Sequence, residues 1–126
     1  MTKSVTTIEQ SKHLLKLGFN KATADMRYDG TGDRVGYGRH LVASAPYKDD
    51  NIPAWSLAVL LDEIPKTVIT DDGDEYTLQM GKDDDLTYVF GYYCEYTTTN
   101  VVEFVSQEAV EAAYELICWL LENKYI

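Results

Sequence analysis

The stretch Ile52-Pro53-Ala54-Trp55-Ser56-Leu57-Ala58-Val59-Leu60-Leu61-Asp62-Glu63-Ile64-Pro65 lies near the middle of the chain. One proline stands near its start and another closes it. Between them are a tryptophan and a dense set of aliphatics, with charge only at Asp62 and Glu63. This pattern predicts a short buried helix. Pro53 suits the first helical turn, where its missing N–H leaves no bond unmade. Trp55 and Val59 share one face with Asp62, while Leu57, Leu60, Leu61 and Ile64 extend the same wide apolar surface. Pro65 ends the helix by Glu63 or Ile64, because the residue before a proline avoids helical backbone. A helix of that kind needs a sheet or another helix to cover.

The segment after it supplies the sheet. Thr67-Val68-Ile69-Thr70 is a β-branched run. Asp71-Asp72-Gly73-Asp74 is a turn, with Asp72-Gly73 a favoured pair for a two-residue hairpin loop. Glu75–Met80 alternates, placing Tyr76, Leu78 and Met80 on one face. Gly81–Asp85 is a second turn. Leu86–Tyr96 reads as the longest strand, with Leu86, Tyr88, Phe90, Tyr92 and Cys94 on one side and Val89 and Tyr93 on the other. Apolar residues on both faces mark a central strand. Val101–Val105 adds a short extended segment. Ser106 is the expected cap of a last helix that runs to about Glu122 or Asn123. Glu108, Glu115 and Glu122 mark its wet face, and Val110, Ala113, Tyr114, Ile117, Leu120 and Leu121 its buried one. Trp119 widens the apolar surface beyond an ordinary stripe.

Upstream, residues 6–17 read as a helix with Thr6/Glu9 or Thr7/Gln10 as alternative capping boxes and Gly18 as its stop. Asn20 caps a second short helix over Lys21–Met26. Tyr28–His40 holds half of the eight glycines. It lacks the GxGxxG or Lys-Ser/Thr spacing of a phosphate loop, so it reads as turns around a twisted strand. Leu41-Val42-Ala43 is a short edge strand. The expected architecture is a single α+β domain over residues 1–126. A small antiparallel meander of three or more strands packs against the central and C-terminal helices, with the N-terminal helix alongside.

Charge restricts the function. The formal net charge is −10, distributed as +3 over residues 1–40 and −13 over 41–126. Direct nucleic-acid binding needs a basic face and is not expected. An anionic membrane would repel the chain, and no apolar run approaches a membrane span. Met1–Thr7 lacks the apolar core of a signal peptide, and the two cysteines, Cys94 and Cys118, sit in apolar elements with no CxxC spacing. A cytoplasmic location is expected.

Motifs with chemistry are sparse. The Asp71–Glu75 cluster fails as an EF-hand, since Tyr76 and Leu78 fall where oxygen ligands belong and Asp83 stands at position twelve. Asp83–Asp85 lies a strand away, roughly 20 Å. His13 and His40 are the two histidines, and a Cys–His pair would need Cys94 or Cys118 within reach. No hydrolase, zincin, Walker or kinase pattern occurs. No catalytic residue, metal or cofactor is expected, and the reading leans away from an enzyme. Tyr37, His40, Tyr93 and Tyr96 are the candidate binding residues, the tyrosines by stacking.

Four segments together carry a resemblance: Thr7–Gly18, Ala22-Thr23-Ala24-Asp25-Met26, Ile52–Leu61 and Ala112–Asn123. In this order they resemble small uncharacterised proteins of prophages and mobile elements in gut anaerobic bacteria. The anchors are packing residues, so the resemblance implies fold and genomic context and carries no catalytic residues. The leading expectation is a non-enzymatic accessory protein acting through contact with another protein, a second copy of itself included. One alternative is an acidic nucleic-acid mimic that blocks a basic host protein, with the acidic turns and the last helix forming one face. The other is a small ligand-binding protein or enzyme that uses the Gly-rich 28–40 segment.

Overall fold

The computed structural model describes residues 5–29, 40–43, 52–83 and 86–126, with backbone alone at 29 and 40–43. In chain order these form α1 (Ile8–Lys16), a 3-10 turn (Lys21–Thr23), β1 (Met26–Asp29), β2 (His40–Ala43), β3 (Ile52–Ala54), α2 (Leu57–Glu63), β4 (Thr67–Ile69), β5 (Glu75–Lys82), β6 (Tyr88–Cys94), β7 (Thr99–Ser106) and α3 (Ala109–Glu122). All strand pairing among them is antiparallel, in a sheet of order β2-β1-β3 and a meander of order β4-β5-β6-β7. The fold is α+β. The C-terminal helix packs on β6 and β7, α2 packs on α3, and α1 lies against β3.

The central stretch divides in two, which corrects the expected single helix over Ile52–Pro65. Ile52–Ala54 is a strand paired with β1, Met26 opposite Ala54 and Tyr28 opposite Ile52. Pro53 stands on an edge strand of that sheet, where a residue without an N–H is tolerated. The helix starts later because the backbone is held extended through Ser56 (φ −72°, ψ 162°). Ser56 N–H donates to Asp25 Oδ1 at 2.9 Å, and Ser56 Oγ accepts from Val59 N–H. Ser56 is therefore the N-cap. Pro65 does end the helix, with Ile64 already extended. The expected helix over Lys21–Met26 is also shorter. Asn20 caps it as read, but Ala24 is extended and Met26 begins β1.

Trp55 is fully buried and ties these pieces together. Its Nε1–H donates to Thr23 Oγ1 at 2.9 Å, and its ring lies 5.1 Å from that of Phe19. Its main chain is bound to Thr6: Thr6 N–H donates to the Trp55 carbonyl at 3.0 Å, and Trp55 N–H donates to Thr6 Oγ1 at 3.1 Å. Thr6 Oγ1 also bonds Ser11 Oγ, and the Thr6 carbonyl accepts from the Tyr28 hydroxyl at 2.6 Å. Burial without these partners would be unfavourable for every polar atom of Thr6. Because Thr6 is committed to Trp55, the helix takes the other capping register. Thr7 and Gln10 form the box, and Gly18 (φ +94°) follows the helix end.

The four-stranded meander carries its core on one face. Phe90 and Tyr92 are buried in the core with α3, with Tyr76, Leu78, Tyr88, Val102 and Phe104 around them, and Cys94 is buried at the end of the same strand. The alternation fails at Met80, which is 54% exposed where β5 runs past the helix. The Tyr92 hydroxyl donates to the Pro65 carbonyl at 2.6 Å, joining the central strand to the end of α2. Burial raises the pKa of that phenol. The longest strands are β5 and β7 rather than β6. The first hairpin loop holds three residues, not two. Thr70 and Asp74 still bond, and Gly73 (φ +87°) takes the left-handed position.

At the second hairpin that position falls to Leu86 (φ +63°), which is 68% exposed. A Cβ in this backbone is strained and Leu86 buries little in return. Leu86→Gly is therefore expected to raise unfolding stability by about 1 kcal/mol, measured as a higher urea midpoint. An unchanged or lower midpoint would contradict the strain.

Most of the last helix is buried, including Val110, Ala113, Leu116, Ile117 and Leu120. Ser106 belongs to β7 and is not its N-cap. The cap position is Glu108, which makes no side-chain cap bond. Ser106 Oγ instead accepts from Glu108 N–H at 3.1 Å and donates to Glu111 Oε2 at 3.3 Å, tying the end of β7 to the first turn of α3. Among the described residues, no helix is long and apolar enough to cross a membrane.

Candidate functional site

Of the residues singled out from sequence, Tyr93 and Tyr96 are the two whose side chains the structure describes, and they do not share a groove. Tyr37 and the Gly-rich segment from Gly30 to Arg39 lie outside the described residues. His40 begins β2, paired in register with Asp29. Tyr93 lines a shallow groove of about 390 Å³ on the face of the meander away from α3. Tyr96 does not line it and stands 93% exposed in the β6–β7 turn. The floor of that groove is Gly91, flanked by Gln79 on β5 and Glu103 on β7. Asn100 donates to Glu103 Oε2 at 3.1 Å. The Asp71–Asp74 turn and Asp83 sit at opposite ends of β5, roughly 24 Å apart by strand rise, so they do not meet around one ion; Asp84 and Asp85 lie outside the described residues. Among the described residues, no three His, Cys, Asp or Glu side chains are grouped to hold a metal.

A second groove, of about 350 Å³, runs along the outer side of α3. Three elements build it: His13 from α1, Phe104 from β7, and Tyr114, Glu115, Cys118, Trp119 and Glu122 from α3. The helix residues follow three- and four-residue steps, so they lie along one side of the helix. Trp119 is half-buried and fixed by aromatic neighbours, stacked on Tyr125 at 5.2 Å and 6.0 Å from Tyr92. The His13 ring meets Tyr114 edge-on at 6.2 Å.

The electrostatics of this groove argue against nucleophilic chemistry. Burial pushes the Cys118 thiol up to about 11, with Glu122 and Glu115 adding to the rise and the Tyr114 hydrogen bond opposing it. At neutral pH the thiol is therefore protonated, and the thiolate is the nucleophilic form. The Tyr114 phenol is raised by burial and by its bond to Cys118. Cys94 is also free and buried.

Glu115 is raised above the usual carboxylate range, first by burial and then by Glu111 one turn away. Among the described residues, neither Glu115 nor Glu122 has a cationic partner. A carboxylate raised on folding binds its proton more tightly in the folded state, so stability falls as pH rises through the interval between the two pKa values. Glu115→Gln is accordingly expected to stabilise the chain at pH 7 by about 0.2–0.5 kcal/mol, the size of one like-charge pair on a helix. The gain should vanish below the carboxylate range. Urea midpoints of both proteins at acidic and neutral pH check this, and a loss of stability at pH 7 would contradict it.

Sequence reasoning located the wet and apolar sides of α3 but not the groove. His13 and Phe104 reach it from distant parts of the chain, and no local spacing announces that. No family model, curated protein or solved structure matches the chain.

Proposed function

We propose that this protein is a non-enzymatic accessory protein that acts by binding another protein along the outer side of α3. The observation that supports it most is the groove itself. Aromatic surface from Phe104, Tyr114 and Trp119 stands open beside two carboxylates that lack a cation among the described residues. Half-buried aromatic side chains with a polar rim are the usual anatomy of a protein interface. The protonated Cys118 thiol weighs against covalent chemistry there. The resemblance to prophage and mobile-element proteins supports a partner from a bacterial host or from the element itself.

The test is a parallel capture from host lysate by three immobilised proteins. These are the wild type, Glu115→Lys/Glu122→Lys, and a control with Asp71→Lys/Asp72→Lys at the remote hairpin. The proposal expects a partner held by the wild type and the control and lost from the groove variant. Equal capture by all three would contradict it.

A further inference from the structure

The groove beside α3 also constrains the chemistry of its occupant, if protein binding there is correct. Three features combine. Its walls are aromatic and apolar, from Phe104, Trp119 and the body of Tyr114. One rim is acidic, with Glu115 and Glu122 seven residues apart, close to two helical turns and about 10 Å along the axis. Glu111, one turn before Glu115, continues the same side of the helix. Among the described residues no Lys or Arg answers Glu115 or Glu122.

From this geometry we infer that the groove takes a cationic amphipathic segment of a partner protein. An apolar or aromatic anchor lies between Phe104 and Trp119, and Lys or Arg residues flank it opposite Glu115 and Glu122. Charge complementarity selects this occupant over the others. A second copy paired through the same face would bring an equally acidic groove to the contact, on a chain of net charge −10. An acidic or neutral peptide would leave the half-buried Glu115 carboxylate unpaired beside the exposed Glu122. The raised pKa of Glu115 is consistent with this, since a cation near it would offset both the burial of its charge and its repulsion from Glu111.

The experiment uses the full chain and three synthetic peptides: an amphipathic Lys/Leu peptide, its Glu/Leu counterpart, and a Lys/Ser peptide of the same charge. Trp119 reports binding by fluorescence, because the second tryptophan, Trp55, is fully buried. The Lys/Leu peptide should bind, the Glu/Leu peptide should not, and the Lys/Ser peptide should bind at least several-fold more weakly. Glu115→Gln/Glu122→Gln should weaken the Lys/Leu peptide about tenfold, as expected for two partly screened charge pairs. Asp71→Asn/Asp72→Asn should leave its affinity unchanged, and circular dichroism confirms that both variants fold. Equal weakening by the two pairs of substitutions would reduce the effect to overall charge and overturn the inference. No binding of the Lys/Leu peptide would also overturn it. If that failure accompanies a lysate partner still lost on Glu115→Lys/Glu122→Lys, the protein-binding reading survives and only the cationic assignment falls.

Discussion

Trp55→Ala is expected to remove about 3–5 kcal/mol of unfolding free energy, the usual loss when a large buried aromatic becomes alanine. Folded domains of this kind hold only about 5–15 kcal/mol in all, so most of the stability of a marginal chain would be gone. The reason is position as well as size. Trp55 is fully buried against Phe19, and its indole N–H fixes Thr23 in the 3-10 turn. The cavity would open where α1, the 3-10 turn and the β3–α2 junction meet. Trp55→Phe, which keeps part of the aromatic packing, should cost less. Urea unfolding followed by far-ultraviolet circular dichroism measures both. A loss below about 1 kcal/mol for the alanine variant would show that the site collapses without penalty and that Trp55 is not the anchor.

Gly91→Val should destabilise by about 3 kcal/mol, the upper part of the range for forcing volume into a packed site. Gly91 lies in the central strand opposite Gln79 on one side and Glu103 on the other. A Cβ there would strike the Val102 carbonyl oxygen and stand 3.1 Å from Glu103 Cα. Both are backbone atoms, so relief would require β6 and β7 to separate. Gly81, one strand over, is the internal control, because a Cβ there meets nothing within 4 Å. Gly81→Ala should change stability by less than about 0.5 kcal/mol. If the two substitutions cost the same, the close approach of β6 and β7 is not what requires glycine at 91.

Much of the fold is legible in the sequence where local chemistry and tertiary packing agree. Thr7 with Gln10, the turn at Gly73, the alternation through Tyr76 and Leu78, and the buried side of α3 all rest on short-range patterns. The structure departs from the reading where a short apolar run fits two periods. Ile52-Pro53-Ala54 suits a helix start or an edge strand equally well. The choice is made by β1, which pairs with it, and by Asp25, which takes the Ser56 N–H. Neither partner can be placed from local sequence. The same holds at Met26, which β3 draws into a strand. Ser56 becomes the helix cap only because its own N–H is taken by Asp25, which holds its backbone extended. The candidate site was less legible than the fold. Tyr93 reaches one groove, yet the aromatic one joins residues from α1, β7 and α3, whose proximity exists only after packing.

Hydrogen–deuterium exchange of the chain, alone and with the partner captured by the wild type, tests protein binding along α3 most directly. The account predicts slowed exchange in β7 around Phe104 and in α3 from Tyr114 to Glu122, with the β4–β5 hairpin unchanged. Protection confined to β5 and the Tyr93 face of the meander, with α3 unaffected, would contradict it.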